Sequence, residues 1–542
     1  MAFSSLLTAV KEIFMRSFHF PGRSPTVARH AMAATSHPLA SLAAIECLKR
    51  GGNAVDAAIT ATALLCVIEP AMTGFGGDCF ALLHKPGKGL IALNGSGRAP
   101  AAATPGWFER KGITSIEVTS PHAVTIPGSI DAWATLLRDH GTISLADALA
   151  PAIDAAEGGF AVAPRVSQDW AGLADKIGMN EGARQHLLKD GRTPRMGETM
   201  RFSALAQSLK LLAKEGPDAF YRGALAADMV ADLKALGGLH TMADFAAVKC
   251  NYVEPISVDY RGVTLHELPP NNQGIVALII LKILDRLGEM GGDVNAPARQ
   301  HVMMEAARLA YKARDAFVAD PLMVDVPVAH LLSNGFADTL AKRIDRKRRL
   351  TDLGPVPKPQ GTDTTYLTVA DKDGMIVSFI NSLFAGFGSG LVTKKTGIVL
   401  QNRGSGFVLT PGHPNCIAPG KRPLHTLVPA MATKAGKPWL SFGVMGGAYQ
   451  PLGHVAVLSN RLDCGLDIQE AIDAPRMFYE DGKLSVEAGV PLSTRDALTA
   501  LGHELAERPD PFGGAQAIEC DHDTGALIGA SDPRKDGLAL GY

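Results

Sequence analysis

Two adjacent threonines, Thr364 and Thr365, directly follow Asp363 and open the segment TTYLTVADKDGMIVSF. A threonine hydroxyl is a weak nucleophile at neutral pH and needs a base within hydrogen-bonding distance. A cut between Asp363 and Thr364 would free an α-amine with an unperturbed pKa of about 7.7–8.0, which supplies that base on the same residue. The alternative is that both threonines simply begin a strand, because threonine favours strands.

The segment that carries the threonines predicts a β-hairpin. TTYLTVA and MIVSFI both alternate, and DKDG between them is a turn signal. Thr365 shares a strand face with Leu367 and Val369, so it is predicted to pack in the core. Thr364 is then predicted to lie on the more polar face.

The register of this hairpin decides what lies opposite Thr364. A turn that pairs residue 370 with 375 places Thr364 opposite residue 381, and one that pairs 372 with 375 places it opposite 383. Either register brings Ser382 close to Thr364. A second hydroxyl there is what the hydrogen-bond network of a nucleophile uses.

The composition describes a globular chain that acts on small molecules. Its 542 residues are 46% hydrophobic and 20% charged, enough to bury a large core. A net charge of −1 gives no overall field that favours nucleic acid or an anionic membrane, so neither is expected as a partner. The longest early apolar run, residues 57–68, is too short to span a bilayer. Charged residues interrupt the apolar N-terminus and no small-residue cleavage site follows, so a cytoplasmic location is expected.

Neither the cysteines nor the histidines have the spacing of a metal site. The seven cysteines are scattered without a C-x-x-C pair, which predicts reduced thiols. The histidines show no H-E-x-x-H spacing. We therefore expect no metal and no cofactor.

The remaining elements must position the threonines. Residues 37–50 predict a helix that stops at two glycines, a second helix begins near 53–56, and the glycines of TGFGGDCF suit a tight turn into a buried strand. Residues 151–314 look largely helical, and the basic, proline-rich run 346–363 predicts a solvated, extended connector rather than a nucleic-acid patch. After the hairpin, GIVLQNRGSGFVL, PWLSFGVMGG and LSVEAG predict short strands.

Sequence blocks along the whole chain resemble one family. TTYLTVADKDG is similar to the start of the small subunit of γ-glutamyltransferases, N-terminal-nucleophile hydrolases that cleave themselves before the first threonine of such a motif. LKRGGNAVDAAI, GFGGDCF, PPNNQGIVAL, APGKRPLHTLVPAM, GVMGGAYQ and GASDPRKDGLALGY look like further blocks in family order, covering roughly residues 30–542.

The resemblance implies a fold and a set of catalytic residues. The fold is α+β, a four-layer αββα sandwich built jointly by a large fragment 1–363, with the connector 346–363 at its end, and a small fragment 364–542. Cleavage between Asp363 and Thr364 would make Thr364 the nucleophile, with its own α-amine as base. Ser382 stands where the family has a supporting threonine, and Gly446 and Gly447 match the glycines whose amides form the oxyanion hole.

The residues that hold the glutamyl group in the family are changed here. The arginine that grips the α-carboxylate is replaced by Ser96, with Arg98 two residues later, and the aspartate that binds the α-amine is replaced by Gly406. The positions of the paired serines, and of an asparagine after the supporting threonine, hold other residues: His425, Thr426 and Phe384. A site that lacks these partners should reject a zwitterionic glutamyl group.

This pattern resembles the acylase-like branch of the family, which includes glutaryl- and cephalosporin-acylase-type hydrolases and amidohydrolases that act on small acids. We expect an amide hydrolase or acyltransferase for a small acyl amide, with Arg98 and Arg403 as cations for a substrate carboxylate and with Phe384 and Tyr449 as an apolar wall. The two fragments should associate, and a dimer of such heterodimers stays open. The alternatives are a genuine γ-glutamyltransferase or glutathione hydrolase and, from another class, an unprocessed binding protein.

Overall fold

The computed structural model describes residues 22–288, 290–353 and 363–542. Its strands, in chain order, are β1 Thr26–Ala28, β2 Met32–Thr35, β3 Asp78–Lys85, β4 Gly89–Gly95, β5 Phe160–Ala161, β6 Thr199–Met200, β7 Asn251–Val253, β8 Ile256–Tyr260, β9 Val263–Glu267, β10 Asp363–Ala370, β11 Ile376–Phe384, β12 Ala430–Lys434, β13 Lys437–Met445, β14 Met477–Glu480, β15 Lys483–Val486, β16 Leu505–Glu507, β17 Gly514–Asp521, β18 Ala526–Ser531 and β19 Leu538–Gly541.

The α-helices, in chain order, are α1 Pro38–Lys49, α2 Ala54–Ile68, α3 Pro105–Arg110, α4 Ser129–His140, α5 Leu145–Gly158, α6 Pro164–Gly172, α7 Ala174–Met179, α8 Glu181–Leu187, α9 Ser203–Glu215, α10 Pro217–Tyr221, α11 Ala224–Ala235, α12 Met242–Ala246, α13 Ile275–Arg286, α14 Pro297–Phe317, α15 Val328–Leu331, α16 Asn334–Ala341, α17 Gln450–Leu462, α18 Ile468–Asp473 and α19 Leu492–Ala500.

Two antiparallel sheets of seven strands form the centre of the molecule. The first has the order β1-β18-β17-β13-β12-β9-β8 and the second the order β19-β2-β10-β11-β3-β4-β7. Each sheet contains strands from both sides of the 363/364 junction, for example β10 between β2 and β11. Neither side of the junction could therefore complete a sheet alone.

The apolar side chains divide into layers that match this arrangement. Phe80, Tyr366 and Ile518 pack between the two sheets. The outer face of the second sheet packs on helices that include α2, and the outer face of the first sheet packs on helices that include α13, α14 and α17. The predicted αββα sandwich is confirmed.

The predicted first helices and the turn after them are also found. Asn53 caps α2 in a capping box with Asp56. In the turn before β3, a Cβ at Gly76 would lie 2.2 Å from the carbonyl oxygen of Val399, and one at Gly77 would lie 2.3 Å from that of Ser382. These positions require glycine because the backbone at Val399 passes directly against Gly76 and the backbone at Ser382 passes directly against Gly77.

Three predictions about local structure are corrected. Residues 251–267 are not helical but form β7, β8 and β9, because their apolar residues alternate. GIVLQNRGSGFVL is not a strand: apart from isolated bridges it contains a 3₁₀ turn, Arg403–Gly406. The predicted connector is only partly solvated: residues 346–348 are exposed, but the Leu350 amide donates to Glu305 on α14 at 2.8 Å and Leu353 is buried. Residues 354–362 of that connector lie outside the described residues.

Candidate active site

The hairpin of β10 and β11 places Thr364 at its open end. Residue 370 pairs with 376, one residue away from either predicted register, because a loop of residues 371–375 separates the strands. Asp371 fixes this loop by accepting hydrogen bonds from the amides of Asp373 and Met375, both at 3.0 Å. A bulge between residues 363 and 365 then leaves Thr364 near Ser382, as predicted.

The two threonines point to different layers, but both are buried. Thr365 and Thr364 are each 2% exposed. Leu367, which shares the face of Thr365, packs against the helical layer, whereas Tyr366, on the face of Thr364, packs between the sheets. The predicted polar face is therefore an interior surface, and its polar atoms pair with each other, as the Tyr366 hydroxyl does with that of Ser378 at 2.7 Å.

The Thr364 hydroxyl is hydrogen-bonded to polar side chains of β11 and α17. It donates to the Ser382 hydroxyl oxygen at 3.4 Å and accepts from the Gln450 side-chain amide at 3.5 Å. Ser382 in turn accepts from the Phe384 amide at 2.7 Å, and Gln450 is oriented by accepting from the Val428 amide at 2.8 Å. Distances of this length are common in catalytic networks before substrate binds.

The backbone at Phe384 is strained. Phe384 closes β11 with φ of 85°, a region that residues with a side chain seldom adopt. Such a conformation costs on the order of 1–3 kcal/mol and is typical of functional sites. Here the bond from its amide to Ser382 holds the turn and directs the Phe384 ring under Arg403.

Gly446 and Gly447 form the turn between β13 and α17. Their φ values of 114° and 55° suit glycine. Among the described residues, none accepts a hydrogen bond from either amide. The Gln273 side chain donates to the Gly447 carbonyl at 2.9 Å and to the Thr426 carbonyl at 3.1 Å, which joins this turn to the 425–426 segment. Two such amides before a helix can stabilise a developing oxyanion.

Arg403 is a buried cation with unused donors. Its side chain is 1% exposed, and Nη1 donates to the Thr426 hydroxyl at 2.6 Å. Nε and Nη2 have no hydrogen-bond partner among the described residues. The guanidinium carbon lies 4.3 Å from the centre of the Phe384 ring, a cation–π contact. Burial lowers the pKa of Arg403 to about 9, which still leaves the group charged at neutral pH.

His425 is held by the protein at both ring nitrogens. Nε2 lies 3.1 Å from the carboxylate of Asp78, and Nδ1 accepts from the Leu427 amide at 3.3 Å. Burial, with the nearby charge of Arg403, lowers the pKa of His425 to about 3, so the ring is neutral and donates from Nε2. These contacts position the 425–427 segment, and the assignment of His425 to substrate binding stays a prediction.

Ser96 and Arg98 both have hydrogen-bond partners within the protein. The Ser96 hydroxyl donates to the Gly97 carbonyl at 3.3 Å and accepts from Asn271 at 3.2 Å. Arg98 donates to the Gly420 carbonyl at 3.0 Å and lies 3.6 Å from the carboxylate of Asp320. Arg98 is thus paired with Asp320, and its assignment as a second substrate cation stays a prediction.

Gly406 and Tyr449 are the remaining residues predicted to line the substrate pocket. A Cβ at Gly406 would meet nothing within 4 Å, so space stands where the family has an aspartate. Tyr449 stacks on Phe512 with ring centres 5.2 Å apart. Tyr449 and Gly446 line a cleft of about 300 Å³, and Thr364 and Arg403 are not among its lining residues. The assignment of Phe384 and Tyr449 to one apolar wall of the substrate site stays a prediction.

Three polar residues of the site were missed in the sequence. Gln450, Gln273 and Asp78 lie within blocks that are recognisable, GVMGGAYQ, PPNNQGIVAL and GFGGDCF, but nothing in their spacing assigns them a role. Asp78 pairs with Ser382 across β3 and β11 and holds His425.

In the parts of the chain that the structure describes, no group of three or more histidine, cysteine or acidic residues is arranged to hold a metal ion. No helix in those parts is long and apolar enough to cross a bilayer.

Comparisons with known proteins agree with this geometry. The model of the family described as gamma-glutamyltranspeptidase matches residues 40–542. The glutathione hydrolase-like YwrD proenzyme of Bacillus subtilis (strain 168) is 38% identical, and the alignment covers 94% of this chain and 98% of that protein. The oxamate amidohydrolase proenzyme of Klebsiella pneumoniae subsp. pneumoniae is 36% identical over 96% of this chain and 100% of that protein.

A solved structure is similar over almost the whole chain. The crystal structure of cephalosporin acylase from Bacillus halodurans superposes with a TM-score of 0.91 at 40% identity, covering 97% of this chain and 98% of that one. The chain therefore belongs to the gamma-glutamyltranspeptidase family and is an N-terminal-nucleophile amidohydrolase that fits its acylase-like branch.

Proposed function

We propose that the chain cleaves itself between Asp363 and Thr364 and that Thr364 is the nucleophile of the mature amide hydrolase. In self-cleavage the Thr364 hydroxyl oxygen attacks the carbonyl carbon of Asp363, and the peptide bond breaks as an ester forms. Water then hydrolyses the ester, which leaves the α-carboxylate of Asp363 and the free α-amine of Thr364. The fragments 1–363 and 364–542 remain together because both sheets contain strands of each.

Turnover uses the same hydroxyl. The Thr364 α-amine takes the hydroxyl proton while the oxygen bonds to the acyl carbon of the substrate, and the proton passes to the leaving amine as the amide bond breaks. Water, or an acceptor amine, then attacks the acyl ester and restores the hydroxyl. Ser382 and Gln450 orient the Thr364 oxygen, and the amides of Gly446 and Gly447 stabilise the oxyanion.

One observation carries this proposal. The hydroxyl of Thr364, at the predicted cleavage position, is held between a hydroxyl and a side-chain amide in the interior of the sandwich. A threonine that merely began a strand would not need two polar side chains from β11 and α17 directed at its oxygen. Gly406, which offers no carboxylate for an α-ammonium, favours an acylase over a γ-glutamyl enzyme.

Mass spectrometry tests the proposal directly. The purified protein should separate into two fragments under denaturing conditions, and the smaller should begin with Thr364 on N-terminal sequencing. Brief incubation with a reactive acyl ester, followed by acid quenching, should add one acyl group to the smaller fragment at Thr364. An intact chain that acquires no acyl group would instead support a binding protein.

A further inference from the structure

Glu267 and His454 form a buried pair that takes no part in the steps proposed above. Both side chains are 0% exposed, and His454 Nδ1 lies 2.8 Å from the Glu267 carboxylate. The other ring nitrogen, Nε2, accepts the amide of Val444 at 3.3 Å. A nitrogen that accepts carries no proton, so the neutral ring has its proton on Nδ1 and donates it to Glu267. The carboxylate therefore fixes the tautomer of the ring.

The His454 ring joins the two elements that flank the turn of Gly446 and Gly447, here called the oxyanion turn. Val444 is on β13, just before Gly446, and His454 is on α17. The ladder between β12 and β13 ends at Phe442, and beyond it the ring takes the place of a further strand as the acceptor for the Val444 amide. This hydrogen bond holds strand and helix together across the turn.

The same ring fixes the helix that reaches the proposed nucleophile. Gln450 lies about one helical turn before His454 on α17, so both side chains are on one face of the helix. The Gln450 side-chain amide donates to the Thr364 hydroxyl at 3.5 Å. A shift of α17 relative to β13 would therefore move this donor together with the amides of the oxyanion turn.

Glu267 also lies beside a loop that supports the oxyanion turn from another direction. A Cβ at Gly274 would lie 2.9 Å from the Cβ of Glu267, so glycine at this position lets the carboxylate lie beside the start of α13. The positive end of the α13 dipole favours a negative charge there. The adjacent residue, Gln273, donates to the Gly447 carbonyl at 2.9 Å. Glu267 is thus next to two contacts that hold the turn, one through His454 and one through Gln273.

The pair is a costly way to fill the core. Glu267 Oε2 has no hydrogen-bond partner among the described residues. Burial raises the pKa of Glu267, and the contact with His454 counteracts that rise. Two apolar side chains of similar volume would pack such a site at no loss of stability. We therefore expect the pair to serve the geometry of the oxyanion turn.

We propose that Glu267 and His454 are positioning residues for the oxyanion turn. The carboxylate keeps the ring proton on Nδ1, and Nε2 then holds the Val444 amide, so that β13 and α17 meet in the arrangement that hydrolysis needs. With the proton on Nε2 instead, two N–H groups would face each other across 3.3 Å and the turn would have to move. The proposal rests on the function proposed above for Thr364 and the oxyanion turn, and it deepens that function by naming the residues that set the turn.

Variants of the pair test the assignment on the fully processed fraction. The substrate is whichever of the glutaryl, butyryl and γ-glutamyl p-nitroanilides the wild type cleaves fastest. Glu267→Met removes the acceptor for Nδ1, and kcat should fall about 10–100-fold while KM changes less than about twofold, because the oxyanion forms only in the transition state. Glu267→Gln keeps a carbonyl oxygen as acceptor and should retain kcat within about threefold. The double variant Glu267→Met, His454→Met should lose no more than Glu267→Met alone, because the two residues act as one unit.

His503→Met is the matched control. His503 is also a buried imidazole bonded at both nitrogens, to His301 on α14 and to Tyr479 on β14. Its replacement should lower the melting temperature but leave kcat within about twofold. Equal losses of kcat in Glu267→Met and His503→Met would reduce the pair to packing and refute the proposal. A Glu267→Gln variant as slow as Glu267→Met would also refute it, because the acceptor would then have no role.

Two measurements keep their meaning if the catalytic function fails. Neutron diffraction from wild-type crystals should show a deuteron on His454 Nδ1 and none on Nε2, and the reverse would overturn the proposal without any variant. Hydrogen exchange followed by mass spectrometry should show faster exchange in residues 440–450 of Glu267→Met than of Glu267→Gln or His503→Met. If the wild type cleaves none of the three anilides, the function proposed for Thr364 fails, and these two results still decide whether the pair holds the turn.

Discussion

The Thr364 hydroxyl lies 3.4 Å from the Ser382 hydroxyl, on facing strands of one hairpin in the middle of the second sheet. Ser382 also accepts the amide of the strained Phe384. One serine therefore links the proposed nucleophile to the turn that carries the ring under Arg403.

Replacing Thr364 should stop maturation. Thr364→Ala has no hydroxyl to attack the preceding carbonyl, so a denaturing gel should show one band of 57.0 kDa where the wild type shows two. Thr365→Ala is the matched control, because its side chain faces the helical layer and its hydroxyl bonds only to the Asn381 carbonyl among the described residues. It should lower stability but still give two bands. Two bands from Thr364→Ala would contradict the assignment.

Removing the Ser382 hydroxyl should slow the chemical step. In Ser382→Ala the Phe384 amide loses its acceptor and Thr364 its neighbour, at a cost of about 1–3 kcal/mol, or roughly 10–100-fold in kcat with little change in KM. Ser382→Thr should retain most of the activity. Steady-state kinetics on the fully processed fraction measures both.

Ser378→Ala distinguishes this effect from a loss of packing. Ser378 lies on the same strand and bonds to the Tyr366 hydroxyl at 2.7 Å. Its replacement should lower the melting temperature while kcat stays within about twofold of the wild type. Equal losses of kcat in the two alanine variants would refute a specific role for Ser382.

A side chain at Gly446 should disrupt the oxyanion site. Gly446→Ala forces a residue with φ of 114° to carry a Cβ only 3.0 Å from the Cα of Gly513, so the turn must shift its amides. Loss of one such donor is expected to lower kcat about 10²–10³-fold. Gly436→Ala is the control, since its φ of 77° imposes comparable strain with nothing within 4 Å. If both variants lose activity equally, the amides of Gly446 and Gly447 are not the stabilising groups.

Stability should fall in acid through buried neutral histidines. Burial lowers the pKa of His240 to about 4, and its Nε2 lies 2.8 Å from the Val124 carbonyl. Between pH 6.5 and 4 the unfolded chain binds a proton at this position and the folded chain does not, so the free energy of unfolding decreases as pH falls. His240→Gln should reduce this slope by on the order of 1 kcal/mol per pH unit.

Urea titrations at several pH values measure that slope. His186→Gln, at a half-buried histidine, is the control for the substitution itself, and the slopes of the two variants are compared. An unchanged slope in His240→Gln would mean that the ring is protonated in the folded protein. The same reasoning applies to His425, whose pKa of about 3 implies no contribution to the activity profile above pH 4.

The sequence alone determined the hairpin, the order of the family blocks and the position of the proposed cut. Strand alternation separated Thr364 from Thr365, and the turn signal at 371–374 brought Ser382 close despite a register that differed by one residue. These features depend on residues near each other in the chain, for which local periodicity is a sufficient guide. The strands at 251–267 were missed because they lie within a largely helical region.

Only the tertiary structure decided which polar residues contact Thr364 and which of two arginines keeps guanidinium donors without a hydrogen-bond partner among the described residues. Gln450 reaches Thr364 from 86 positions away in the chain, through the packing of α17 against the sheets. Arg98 and Arg403 are equivalent candidates by residue type, but the fold neutralises Arg98 with Asp320 and leaves Arg403 buried over Phe384. Hydrogen-bond partners of a buried charge are set by long-range packing, which the spacing of residues along the chain does not encode.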